Sequence, residues 1–180
     1  MLPALRSATI DAAVALCPEL AGEFSYLTIR REPVIALLAQ SHPLAGRTAI
    51  ELATLAGEGF LLFPREQSPR LYDFMAGLCR QAGFEPSVRG ASFHSGWELQ
   101  ILGDMDLVAL APASVARELP DGIVAAVIAD PLDQIETSII WRADDSSPIN
   151  RAFRETALSA GYRLERSASA GAGLAARKAG

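Results

Sequence analysis

The sequence predicts an α/β protein whose sheets are mainly parallel, and three observations carry that expectation. Apolar runs of strand length alternate with segments of helical period along most of the chain. Several runs, Gly59–Phe63 and Leu107–Ala111 among them, are apolar without alternation, the pattern of a strand covered on both faces. The composition also supplies enough to bury: 180 residues, 50% apolar and 21% charged, with a formal net charge of −5. In such a fold helices cover the sheet, and a ligand is expected at the carboxyl ends of the strands.

The elements follow in order. Asp11–Cys17 is a short apolar run closed by a turn at Pro18, and Leu27–Arg30 and Pro33–Ala39 are the next strands. Pro33 has no N–H to give a ladder and belongs at the start of its strand. Ser41–Gly46 is a polar loop. Thr48–Glu51 reads as a capping box, Thr48 accepting a first-turn amide while Glu51 reaches back, for a short helix ending at Gly57. After the Gly59–Phe63 strand, Ser68 is an N-cap and Pro69 the first residue of a helix. Leu71, Phe74, Met75, Leu78 and Cys79 recur on one face of that helix, and Gly83 ends it.

Ser87–Ala91 is a strand, Trp97, Leu99, Ile101 and Leu102 belong to the next helix, and Leu107–Ala111 is again a strand. Pro112 opens a short helix through Leu119, and Ile123–Ile128 and Glu136–Trp141 are strands. The last helix runs from Pro148 to about Gly161, with Ile149, Phe153, Ala157 and Leu158 on its apolar face. Residues 161–180 hold four basic side chains and one acidic, against twelve and twenty in the rest. Small residues dominate this stretch, which buries too little to offset its ordering entropy and is expected to be a disordered tail.

Much chemistry is excluded. His42 and His94, with Cys17 and Cys79, form no metal-binding spacing, and no nucleophile elbow, phosphate loop or dinucleotide fingerprint is present. Cys17 in a strand and Cys79 on an apolar helical face are expected to be inert thiols. The pairs Asp104/Asp106 and Asp144/Asp145 read as solvated turn residues. No catalytic cluster, cofactor or metal is called for. An acidic balance with one lysine, Lys178, argues against a nucleic-acid footprint, and no apolar run reaches the length of a membrane span or an export signal.

Seven segments, in their order and spacing, resemble the effector-binding (substrate-binding) domain of LysR-type transcriptional regulators. They are Arg31–Leu38, Ser41–Arg47, Ile50–Leu55, Gly59–Pro64, Leu78–Pro86, Val108–Val115, and Ile139–Arg142 with Ser147–Phe153. The resemblance covers residues 1–160. It implies two Rossmann-like lobes of the type II periplasmic-binding-protein kind, closing on a small molecule, with the first lobe incomplete. The family's winged helix-turn-helix and the opening strand–helix–strand of the effector domain lie outside this sequence, so exposed apolar edges and faces are expected. The sequence also departs from the family where a glycine pair precedes Val108: Met105 and Leu107 stand there, so that turn must be built differently.

The resemblance carries Phe63, Pro64 and Ser68 over as pocket positions. A helix N-terminus after a buried strand can hold an anion without a lysine, and Arg65 and Arg70 lie beside it. The alternatives are a serine that only caps its helix and arginines that are solvated surface charges. Ser92, His94 and Ser95 form a second candidate group entering the Trp97 helix, with a capping serine and a half-exposed histidine as the plainer reading.

The expected function is therefore effector sensing in a LysR-type regulator. The effector would be an aromatic or aliphatic carboxylate, with homo-oligomerisation through this domain and DNA contacted only by the absent winged helix. The expected location is the cytoplasm. The rivals are a freestanding periplasmic-type binding protein, an enzyme of unknown class and a non-functional truncated remnant.

Overall fold

The computed structural model describes residues 1–18, 22–91, 97–159 and 163–165. In chain order these form α1 (Leu2–Arg6), β1 (Ala12–Leu16), β2 (Phe24–Glu32), β3 (Val34–Ala39), β4 (Ala49–Ile50) and β5 (Gly59–Leu62). Then come α2 (Pro69–Gln81), β6 (Ser87–Ala91), α3 (Ile101–Asp104), β7 (Leu107–Pro112) and β8 (Ile123–Ile128). The last are β9 (Ile135–Arg142), α4 (Pro148–Ser159) and β10 (Arg163–Glu165), and 3₁₀ turns occupy Leu52–Leu55, Trp97–Gln100 and Ala113–Arg117. Two compact units result: unit 1, Met1–Arg31 with Glu136–Gly180, and unit 2, Glu32–Ile135. Among the described residues no helix is long and apolar enough to cross a membrane.

Unit 1 is built on a four-stranded sheet in the order β1-β9-β2-β10. β1 runs antiparallel to β9, with Ala12 opposite Trp141, and β10 runs antiparallel to β2. Alternation assigns the side chains to faces. Leu27, Ile139 and Trp141 pack with Ala157 of α4 on one face, while Phe24 and Ile140 pack with Leu5 of α1 on the other.

A polar network ties the helices of unit 1 down. Arg142 donates to the carbonyls of Leu5 and Ile10 and to the Asp145 carboxylate, 2.9, 3.2 and 2.7 Å away. Asp145 also takes the Ser147 N–H at 2.7 Å and the Asn150 side-chain amide at 2.6 Å. The backbone N–H of Ser147, foremost, holds the Asp145 carboxyl below its ordinary range.

Two expectations fail in unit 1. Ile149 and Phe153, assigned to the apolar face of α4, are exposed, and the buried residues of that helix include Asn150 and Ala157. The reason is the network: Asn150 must face inward to reach Asp145 and the Asp11 carbonyl, and this turns Ile149 outward. Residues 163–165, expected in the disordered tail, instead form β10 against Tyr26–Thr28. Residues 166–180 lie outside the described residues.

Unit 2 holds a six-stranded sheet in the order β4-β8-β3-β7-β5-β6. β4 is parallel to β8, and β5 is parallel to both β6 and β7. β3 is antiparallel to both of its neighbours, so the sheet is mixed rather than mainly parallel. Only Pro33 separates β3 from β2, a strand of the other sheet.

The core of this unit joins Ile35, Leu37, Leu61, Leu102 and Leu107. Leu107 lies over two glycines: a Cβ on Gly59 would stand 2.7 Å from its Cδ2, and one on Gly90 would stand 3.4 Å from its Cδ1 and 2.8 Å from Leu61 Cδ1. Before β7 the unusual turn is made by Asp106 at φ +53°, a left-handed conformation that Asp tolerates better than most residues.

The capping box at Thr48 is also overturned. Ala49 and Ile50 pair with Val127 and Ile128, and the Thr48 carbonyl accepts the Val127 N–H, so this stretch is strand. The 3₁₀ turn begins only at Leu52, and its first N–H is taken by Asp130 Oδ2 at 2.7 Å. Glu32 does the same for the turn after β7. Its carboxylate, largely buried, accepts the Ser114 N–H at 2.7 Å and the Ser114 hydroxyl at 3.0 Å.

Candidate functional site

β5 is buried along its whole length and delivers the chain to Phe63, half-buried, and Pro64, buried. The Pro64 carbonyl accepts the N–H groups of Gln67 and Ser68, 3.1 and 3.2 Å away, which folds the loop tightly back toward α2. Pro69 then opens the helix, its missing N–H costing nothing at that position. Leu71, Met75, Leu78 and Cys79 anchor α2 in the core. Gly83, at φ +91°, closes it, with the Phe84 N–H returning to the Cys79 carbonyl at 3.0 Å.

Ser68 stands at the N-cap position, yet its hydroxyl makes no capping hydrogen bond. The helix uses only its carbonyl, which accepts the Tyr72 N–H at 3.0 Å. The Ser68 side chain therefore leaves the N–H groups of Arg70 and Leu71 in the first turn uncapped. Donors, partial positive charge and a hydroxyl are thus presented beside Phe63 and Pro64, a combination suited to an anion with an apolar body.

Arg65 is exposed and engaged. Its Nε and Nη2 donate to the two carboxylate oxygens of Asp73, 2.9 and 3.1 Å away. The hydrogen bond from Arg65 is the leading cause holding the Asp73 carboxyl below its ordinary range. Sequence reasoning missed Asp73, and the only local signal was an acidic residue near a helix start. Arg70 is exposed. Phe63, Pro64, Arg65, Ser68 and Arg70 therefore share the β5–α2 connection, whereas Ser92, His94 and Ser95 lie outside the described residues.

The other reactive side chains have structural roles. Cys79 is buried, and desolvation pushes its thiol up to about 11. His42 is buried in the turn after β3, where its Nδ1 accepts the Leu44 N–H at 3.1 Å and its Nε2 lies 3.4 Å from Glu58 Oε1. In unit 1, a separate cleft of about 450 Å³ is lined by Arg6, Glu23, Phe24, Arg142 and Asp144. Its two guanidinium groups are occupied, Arg6 by Glu23 at 2.7 Å and Arg142 by the network around Asp145. Among the described residues no cluster of three potential metal ligands occurs.

A family model described as the LysR substrate binding domain matches residues 1–161. The HTH-type transcriptional regulator BudR of Raoultella terrigena is 29% identical over 156 residues, covering 86% of this chain and 54% of that protein. The regulator CatR of Pseudomonas putida is 29% identical over 152 residues, 81% of this chain and 50% of that protein. The crystal structure of CbnR, a LysR family transcriptional regulator, superposes with a TM-score of 0.76 at 23% identity, covering 88% of this chain and 55% of that one. The BenM effector binding domain with its effector benzoate gives 0.70 at 20% identity, over 88% and 72%. The chain spans about half the length of the curated relatives it matches, and those relatives are named as transcriptional regulators, not enzymes.

Proposed function

Because the chain belongs to the LysR substrate binding domain family, we propose that it senses a small carboxylate effector on behalf of a transcriptional regulator. The effector's anionic end lies at the start of α2, on the Ser68 hydroxyl and the N–H groups of Arg70 and Leu71, and its body lies against Phe63 and Pro64. The single observation that supports this most directly is the Ser68 hydroxyl, which its own helix leaves unused. The carboxylate class is supported by the chemistry of that terminus and by benzoate, the effector bound to the structurally similar BenM domain.

The ligand acts by shifting a conformational equilibrium: it binds one state better and thereby biases DNA contacts made by a winged-helix domain of a longer protein. The regulator works in the cytoplasm as a homo-oligomer held together by this domain.

Thermal unfolding of the purified chain, with benzoate and with short aliphatic carboxylates, tests the site. A ligand selective for the folded state adds about 2.7 kcal/mol of stability at a hundredfold excess over its dissociation constant. Ser68→Ala is expected to change the unfolding of the free protein by less than about 0.5 kcal/mol, since no cap is lost. The same variant is expected to abolish the ligand-induced shift. A stability loss of about 1 kcal/mol with an unchanged ligand shift would return Ser68 to the role of a helix cap.

A further inference from the structure

Two helical segments begin at one end of the unit 2 sheet. Strands β5 and β7 are parallel neighbours, with Leu61 opposite Ala109, so they leave the sheet in step. Two and three residues further on, β5 has reached Phe63 and Pro64 while β7 has reached Ala111 and Pro112. The first strand leads to α2, whose N-cap hydroxyl makes no capping bond, and the second leads to the 3₁₀ turn Ala113–Arg117.

At this second start the donors are taken. β3 flanks β7 on its other side, with Val34 opposite Pro112, and the two residues before Val34 both reach the turn. The Pro33 carbonyl accepts the Ala113 N–H at 3.0 Å. The Glu32 carboxylate accepts the Ser114 N–H at 2.7 Å and the Ser114 hydroxyl at 3.0 Å. Glu32 is 8% exposed, and withdrawing a carboxylate from water is costly. Two charge-assisted hydrogen bonds to one residue offset that cost and fix the turn more firmly than neutral ones would. The turn carries Ala113 and Val115, which pack against the core of unit 2 and stay half-buried.

We propose that Glu32 is a positioning residue for the effector site: through Ser114 it holds the turn after β7 as the wall beside Phe63 and Pro64, where the apolar body of the effector rests. The proposal depends on the effector-site reading above and adds to it how the body is recognised. A wall fixed before the ligand arrives loses no conformational freedom on binding. Glu32 therefore governs affinity for an effector with a bulky body, and a bare carboxylate held at the start of α2 is indifferent to it.

NMR titration of the full chain, read at the Arg70 and Leu71 amides, separates the two parts of the ligand. Benzoate has a ring to reach the wall, whereas acetate has little beyond its anionic end. Glu32→Ala is expected to weaken benzoate about three- to tenfold, the effect of leaving one side chain to be ordered on binding, and to change acetate by less than about twofold. Glu32→Gln keeps an acceptor for Ser114 without the charge and is expected to restore benzoate. Equal weakening of both ligands, unchanged benzoate, or a Glu32→Gln variant that restores nothing overturns the role of Glu32 and leaves the site standing. Should Glu32→Ala lose its cooperative unfolding transition, Ser114→Ala, which removes only the hydroxyl half of the tie, takes its place with the same direction and a smaller factor. Amides of the unsubstituted chain that neither ligand moves overturn the site reading, and the role of Glu32 with it.

Discussion

The Arg65 guanidinium lies bidentate on the Asp73 carboxylate, so a cation of the loop before the proposed anion site is already neutralised by α2. An incoming carboxylate must compete with Asp73 for it. Asp73→Asn is expected to tighten benzoate about three- to tenfold, and Arg65→Gln to weaken it by a similar factor, the range of one net hydrogen bond. Calorimetric titration of both variants measures this, and unchanged affinity in both would confine the pair to the surface. Because Arg65 depresses the Asp73 carboxyl, the pair persists above about pH 4 and is lost as pH falls through the lowered folded value.

The network around Asp145 makes a second prediction. Asn150 is 2% exposed and links α4 to both Asp145 and Asp11. Asn150→Ala is expected to cost about 1–3 kcal/mol, since it removes a charge-assisted hydrogen bond to Asp145, which keeps Arg142 and Ser147 as donors, and the tie to the Asp11 carbonyl. Denaturant unfolding checks the magnitude. The Asp145 carboxyl is held low first by the Ser147 N–H, so its folded value lies below its unfolded one. Its contribution is therefore present above about pH 4 and disappears as pH falls through the folded value, and Asp145→Asn should flatten that limb of the stability–pH curve.

Leu107 and the glycines beneath it predict a coupling. Gly59→Ala places a methyl group 2.7 Å from Leu107 Cδ2 in the packed interior of unit 2. A loss of about 1–3 kcal/mol is expected. Combined with Leu107→Ala, the double variant should lose less than the sum of the single ones, because the methyl group then occupies part of the space vacated. Additive losses in a double-mutant cycle would contradict the packing described.

Asp106 predicts a gain. A left-handed conformation costs an L-residue about 1–2 kcal/mol, while glycine loses about 0.5–1 kcal/mol of chain entropy on folding. Asp106→Gly is therefore expected to stabilise unit 2 by about 0.5–1 kcal/mol, read as a raised denaturation midpoint at unchanged slope. A lowered midpoint would mean that the Asp106 side chain contributes more than its backbone strain costs.

What could be read from the sequence was whatever local chemistry decides. The four apolar residues of β5, Pro69 at the start of α2 and Gly83 at its end each act within a few residues, and each stands where expected. The failures are non-local. Thr48 and Glu51 have the spacing of a capping box, but β8 captures the intervening residues and the donor of Leu52 is met by Asp130, 78 positions away. Ile149 and Phe153 keep helical spacing with Ala157, yet the orientation of α4 is set by a polar residue, Asn150, which an apolar pattern cannot register. For the site, Phe63, Pro64 and Ser68 were legible as a strand end and a helix start. Asp73 was not, because nothing in the sequence says that Arg65 reaches eight residues forward to it.

The nesting of one unit within the other has a consequence for the order of folding. Unit 2 is a continuous stretch, whereas unit 1 is assembled from the two flanks of the chain, and β1 meets β9 only after the whole of unit 2 has been spanned. Closing a flexible loop of roughly a hundred residues costs on the order of 4 kcal/mol, a cost reduced once that loop is itself compact. Unit 2, continuous in sequence, is thus expected to fold before unit 1. A nascent chain emerging from the ribosome cannot pair β1 or β2 with β9 until synthesis has passed Glu136.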